Sequence, residues 1–273
     1  MNPIDHMPLP LILFGCILLQ LVFIEAGFRY GRHSRGGGHK AQMAQVRAIM
    51  GASLGLLAFM LAFSFSIAQQ HFEERSRAYM MEVSAIDSAF RGAYLLDESQ
   101  QGLAQDLLKE FAGLRLETVQ AVRASEPERV LALIRESERI HDLLWSIAES
   151  SMEDSANARE AGIFAQSVLA MIAAHDARLQ AAMFNRISPV IWMTLLLMAA
   201  LAMVVMGYQA GLTGTRSGLA TWTLAVTFAA VMTLITDLDR PQMTLFQLNQ
   251  QLMVELEGRM GGAAFDPPDA LRP

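Results

Sequence analysis

Four apolar runs punctuate the chain, at Pro8–Ile24, Ile49–Ala68, Pro189–Gly207 and Leu219–Thr236. Each is about as long as the ~17–25 residues a helix needs to cross the hydrocarbon of a bilayer. The runs form two pairs, and the stretch between the pairs has a different rhythm. Tyr79, Val83, Ile86, Phe90 and Ala93 recur at spacings of four and three, the period of a heptad seam. Polar residues fill the other faces, among them Glu73, Arg75, Arg77, Glu82, Asp87 and Arg91. From Ser53 to Arg91 the only glycine or proline is Gly55, so the second span is expected to run on as helix into this stretch.

Residues 69–186 lie outside the membrane on this reading. They hold one proline, Pro127, and four glycines, Gly92, Gly102, Gly113 and Gly162, and show no strand pattern. Four helices are predicted, at about 70–96, 100–124, 127–150 and 153–186. Ser125 with Glu128 three residues on, and Pro127 in the first turn, mark the start of the third. Its buried face is predicted at Leu133, Ile140, Leu144 and Ile147. That of the fourth is predicted at Phe164, Val168, Ile172, Leu179 and Ala182. The region carries 12 Lys+Arg against 19 Asp+Glu, a net of −7, and reads as an acidic helical bundle.

The connections differ in charge. Phe28–Val46 is a loop with Arg29, Arg32, Arg35 and Lys40, Arg47 just past its end, the flexible Gly36-Gly37-Gly38 and no acid. By the positive-inside rule it is cytoplasmic, which places the N-terminus, the bundle and the C-terminus on the opposite side. It lacks the Gly-Lys-Ser/Thr ending of a phosphate-binding loop. Tyr208–Gly218 is a short glycine-rich loop, and Trp222 is an interfacial anchor of the fourth span. An amphipathic helix is expected at about 243–259, with Leu245, Leu248, Leu252 and Leu256 on one side, followed by a disordered tail from Gly261. The first apolar run is read as a retained span. Asp5 and His6 precede it, no Lys or Arg does, and no Ala-x-Ala cleavage site follows.

Composition agrees with this pattern. Of 273 residues 53% are hydrophobic, and the mean hydropathy is +0.30, which is high for a soluble domain. A net charge of −6 argues against nucleic acid as a partner. The single cysteine, Cys16, permits no internal disulfide. The 18 methionines lie mostly in apolar helices as gap-filling core.

Candidate chemistry concentrates at the membrane faces. Asp237-Leu238-Asp239-Arg240-Pro241 ends the fourth run, where ionisable groups need partners or a task. The exit of span two and the start of span three should reach the same face. Gln69, Gln70, His71, Arg75 and Arg186 are therefore expected neighbours of Asp237 and Asp239, which with Arg240 form a structural latch or a charged ring at a permeation path. At the other face Glu25 either pairs with Arg29 or lines a pore. Gly51 with Gly55, and Gly207 with Gly211, are small-xxx-small pairs suited to helix packing. Glu138-x-x-His141 has one half of the spacing used in di-iron bundles without the second pair, so no metal is expected and His141 is read as a surface or seam residue. No catalytic residues and no cofactor are expected either, since nothing supplies a nucleophile or a His/Cys cluster.

Several pieces resemble a bacterial transmembrane family of unknown function labelled bestrophin-like. They are Glu25-Ala26-Gly27-Phe28-Arg29-Tyr30-Gly31, Gly51-Ala52-Ser53-Leu54-Gly55-Leu56-Leu57, the segment from Glu82 to Phe90, Pro189 with Trp192, Gly207-Tyr208 through Arg216, and Asp237-Leu238-Asp239-Arg240-Pro241. The last is the most specific. The chain departs from the family pattern at Ser84 and Ser88, where Asn and Thr are usual, and lacks a glycine a little past Pro241. The resemblance implies similarity to bestrophins, which are pentameric anion channels with helical extramembrane parts. No dense acidic loop matches a bestrophin calcium clasp.

The expectation is an all-α integral membrane protein with four transmembrane helices and a helical bundle between spans two and three. Its parts are residues 1–68, 69–186, 187–241 and 242–273. It is expected to be a multi-pass protein of the bacterial inner membrane, with its bundle periplasmic, contacting membrane lipids and associating with itself. An ion channel is the first functional reading. A non-conducting sensor or scaffold that binds a partner through the bundle is the alternative.

Overall fold

A computed structural model describes residues 7–34, 40–153, 158–184, 186–214, 218–240 and 250–262. Among these the chain is helical, with α1 Leu9–His33, α2 Lys40–Gly92, α3 Glu98–Arg123, α4 Pro127–Glu153, α5 Ala158–Phe184, α6 Pro189–Thr213, α7 Gly218–Asp239 and α8 Gln251–Met260. A 3-10 turn at Ala93–Leu95 links α2 to α3. Four helices, α1, α2, α6 and α7, are long and apolar enough to cross a membrane. At 53 residues α2 is far longer than a bilayer requires, since 1.5 Å per residue gives about 80 Å. The chain divides into two compact units, Met1–Glu73 with Asn185–Phe246, and Glu74–Phe184 with Gln247–Pro273.

The first unit holds the spans. Its core joins Leu57, Leu61 and Ala68 of α2 to Leu195, Ala199 and Ala202 of α6 and to Met232, Ile235 and Leu238 of α7. Along α1 the contact with α6 is backbone against backbone. A Cβ on Gly27 would overlap the carbonyl of Val204 and reach 3.0 Å from Tyr208 N, and one on Gly207 would overlap the carbonyl of Ile24 and reach 2.9 Å from Phe28 N. Gly31 and Gly211 meet Tyr208 and Phe28 in the same way. Only glycine lets two helices approach so closely, and in lipid such packing replaces the hydrophobic effect as the force between helices. The Tyr30 and Tyr208 rings stack beside this seam at 5.7 Å. Buried Thr233 and Thr236 donate to Ala229 O and Met232 O of their own helix, which satisfies both hydroxyls inside α7.

This packing corrects two loop expectations. The basic loop expected at Phe28–Val46 is helical at both ends, since α1 runs to His33 and α2 starts at Lys40. The loop expected at Tyr208–Gly218 starts only after Thr213, where Gly214 takes a left-handed φ of 72° and stops α6. The seam needs Gly31 and Gly211 in register, and so carries both helices beyond their apolar runs. Gly36-Gly37-Gly38, Arg35 and Arg216 lie outside the described residues.

The second unit is the bundle. Its core gathers Tyr79, Val83 and Ile86 of α2, Leu108 and Phe111 of α3, Ile140 and Leu144 of α4, Phe164, Val168 and Met171 of α5, and Met253, Leu256 and Met260 of α8. Fully burying a side chain such as Phe111 or Phe164 contributes about 1.5–3 kcal/mol. Of the seam expected on α2, Tyr79, Val83 and Ile86 are buried and Phe90 is half-buried, while Ala93 is buried in the 3-10 turn; the face expected on α4 is buried throughout. On α5 the expected Ala182 is exposed, and Met171, Ala174 and Ala181 are buried instead. α4 starts at Pro127, as expected, and Ser125 lies in the turn before it. Ser125 sits at φ 60°, its N–H donates to Val122 O at 3.1 Å and Glu126 N–H donates to Ala121 O at 3.0 Å, which closes the end of α3.

Of the helix expected at 243–259, the described part is α8. Leu256 is buried, but Leu252 is 45% exposed, and Met253 and Met260 take the core positions. Tyr79 explains the register, because its hydroxyl accepts from Met253 N–H at 3.2 Å. Leu245, Leu248, Pro241 and the tail from residue 263 lie outside the described residues.

Candidate functional site

The densest buried chemistry lies in the bundle. Glu82 of α2 is fully buried, and His175 and Arg115 are 2% and 3% exposed. His175 Nδ1 lies 2.9 Å from Glu82 Oε1, and Arg178 Nη1 donates to Glu82 Oε2. Arg115 Nη1 lies 2.9 Å from Nδ1 and 3.3 Å from Nε2 of the same ring. A guanidinium only donates. The tautomer with its proton on Nδ1 therefore satisfies both neighbours, donating to Glu82 and accepting from Arg115 on Nε2. Arg178 also lies over the Tyr79 ring, and Arg115 over Phe111, at 5.0 and 5.8 Å from the ring centroids.

Burial and charge compete across this network. Burial alone would raise Glu82. The His175 hydrogen bond and the Arg178 and Arg115 charges outweigh it and hold the carboxyl below its ordinary value. Burial pulls Arg115 down to about 10, so it remains a cation at neutral pH. His141 of α4 completes the group, its ring 5.0 Å from His175 and 4.9 Å from Phe111. Burial, with His175 and Arg115 beside it, pushes His141 down to about 4. The sequence pattern marks these positions only faintly. Arg115 stands four residues after Phe111 on an apolar stripe, and Glu82 stands beside Val83 on the seam, which is where a buried charge betrays itself.

The membrane unit carries the second cluster. Asp237 is fully buried and Arg240 nearly so. Asp239 Oδ1 accepts from Ile187 N–H at 2.7 Å, which holds the chain just before α6. Arg240 Nη1 donates to Met7 O at 2.8 Å, just before α1. The end of α7 thus holds the starts of two other spans through their backbones. Arg186 is half-buried next to Ile187 in the same unit, and Arg75 is buried on the part of α2 that belongs to the bundle.

At the far end of α1, Arg29 Nε donates to Glu25 Oε1 at 3.0 Å in an exposed pair one helical turn apart. Gly207 and Gly211 form the seam with Gly27 and Gly31, whereas a Cβ on Gly51 or Gly55 would meet nothing within 4 Å. Gln20, midway along α1, is 3% exposed, and neither amide atom has a hydrogen-bond partner among the described residues. It borders a small void with Cys16, Leu196 and Met232. Among the described residues no group of three or more His, Cys, Asp or Glu could hold a metal ion.

The sequence model of the bestrophin-like domain matches residues 18–247, which takes in most of the chain, from α1 through α7. The chain belongs to the bestrophin-like domain family. The fold is also similar to the crystal structure of a membrane protein carrying a glycine-to-alanine substitution. The TM-score is 0.64 at 14% identity, over 94% of this chain and 99% of that one. At that identity the likeness speaks for the fold alone. No curated protein matches the chain. The bestrophin-like chain is therefore a helical membrane protein, and both charge clusters fall within the residues that carry its family membership.

Proposed function

We propose that this chain is one subunit of a homo-oligomeric ion channel of the bestrophin type in the bacterial inner membrane, with its bundle on the periplasmic side. The observation that carries this reading is the family match across residues 18–247, from the first span to the last. Two features support self-association. No more than a third of each span's most apolar stretch is buried within the chain. Gly51 and Gly55 stand open on α2, while glycine pairs of the same spacing on α1 and α6 are packed backbone to backbone. In this reading Asp237, Asp239 and Arg240 hold the spans around the conduction path, and Glu25 with Arg29 sits at its opposite mouth.

Purified protein in planar bilayers tests the proposal, together with its mass in detergent. Selective currents from a species several subunits in mass are expected. No conductance under any ion or pH gradient, with a monomeric mass, overturns it.

The second reading is a non-conducting sensor or scaffold, and it is favoured by the bundle's self-contained core. Because Met253, Leu256 and Met260 belong to that core, residues 70–186 alone would lack part of it. The scaffold reading therefore has to be tested on the whole chain, as capture of a partner that depends on exposed bundle residues.

A further inference from the structure

We infer that the bundle carries a proton-operated release of α4, in which protonation of His141 places an N–H at a buried position where no described residue offers an acceptor. This goes beyond the channel reading and does not rest on it.

The His141 ring enters the core from α4 and is 6% exposed. Its Nε2 is buried and has no hydrogen-bond partner among the described residues. The groups facing it come from three helices. Arg115 and Phe111 come from α3, His175 and Asp176 from α5, and Glu82 from α2. Behind them Arg178 donates to Glu82 and lies over the Tyr79 ring. Glu255 of α8 bears on Tyr79. Glu82 is the one fully buried carboxylate of this set, and His175 and Arg178 already hold it. Asp176 is exposed.

A neutral imidazole with a bare nitrogen is tolerated in such a place. An imidazolium would put a proton on the buried Nε2, which has no acceptor among the described residues, and a partly desolvated cation beside the Arg115 guanidinium. When α4 lifts away, His141 regains water and an ordinary affinity for protons. The sign follows from linkage. The bound state of α4 keeps His141 low, at about 4, and the open state titrates near 6.5. The open state binds more protons, so docking of α4 is fully held above about pH 6.5 and weakens as pH falls from there toward 4. The apolar anchors Ile140, Leu144 and Ile147 do not titrate and set the baseline.

Hydrogen exchange of the full-length protein in lipid nanodiscs at pH 7.5 and 5.0, corrected for intrinsic exchange, reads this directly. The opening equilibrium of α4 amides should rise by an order of magnitude or more, with about 30-fold as the ceiling set by those two titration points. In His141→Phe, which keeps a ring against Phe111, the rise should disappear. An unchanged α4 in the native protein, an equal loss in α3 and α5, or the same pH dependence in His141→Phe each overturn the inference. A second measurement needs no variant. In the native chain labelled with 13C-histidine, one of the six histidines should stay neutral to below pH 5. Six imidazoles all titrating between pH 6 and 7 overturn it as well.

Discussion

The glycine seam between α1 and α6 gives the sharpest prediction, because the structure supplies its own control. In Gly207→Ala the new methyl would overlap Ile24 O and stand 2.9 Å from Phe28 N. Carbon prefers roughly 3.5–4.0 Å from such atoms, so the helices must part by about 1 Å. Both colliding surfaces are backbone, and neither can rotate away. Overpacking typically costs about 1–3 kcal/mol, and a rigid collision belongs at the upper end. Replacing a helical glycine by alanine returns about 1 kcal/mol of propensity, which leaves a net loss of about 2 kcal/mol. For a protein of this size that is a fall of roughly 4–8 °C in Tm. Gly51→Ala meets nothing within 4 Å and keeps only the gain in propensity, so its Tm should be unchanged or slightly higher. The assay is thermal denaturation of detergent-solubilised protein followed by size-exclusion fluorescence, at one ramp rate for all variants. A double variant at Gly27 and Gly207 should lose less than the sum of the two single losses, because one separation relieves both collisions. Gly207→Ala as stable as the native protein would refute the close-packed seam. A large loss in Gly51→Ala would instead place a second chain on that face of α2.

Three further outcomes follow from the buried polar groups. Glu82→Gln removes the fully buried carboxylate that Arg178 and His175 hold, and should destabilise the bundle by about 3–5 kcal/mol, seen as an early transition in thermal melts. Because Glu82 is held below its ordinary value, its contribution is present above about pH 4.5 and is lost as pH falls through the folded value, so this difference between variant and native protein should shrink in strong acid. Asp239→Asn weakens a charge-assisted bond to Ile187 N–H and should lower thermal stability by about 1–2 kcal/mol; unchanged stability with altered ion flux would mean that Asp239 acts on permeation and not as a latch. Gln20→Leu removes an amide with no partner among the described residues and should leave stability equal or raise it by about 1–3 kcal/mol; a loss of that size would show that Gln20 has a partner in the assembled protein.

The sequence by itself determined the number and kind of elements. Runs of about 20 apolar residues have few alternatives to a membrane helix, because the backbone must bond to itself in lipid. The heptad of α2 and the apolar stripe of α4 likewise marked their buried faces, since helical period ties spacing to direction. Gly207 and Gly211 were legible as packing residues from their spacing, but their partners Gly27 and Gly31 were not. Spacing says that a face is small and says nothing of which helix it meets. Only the tertiary structure decided that α8 enters the bundle through Met253 and Tyr79, that the chain enters α6 held by Asp239, and that Gly51 and Gly55 stay open. It also decided that Glu82, Arg115, His141 and His175, which stand on four different helices and far apart along the chain, share one core. Each is a single polar residue on a mostly apolar face. Whether such a residue is buried with partners or turned to water depends on the neighbouring helices, which local periodicity does not encode.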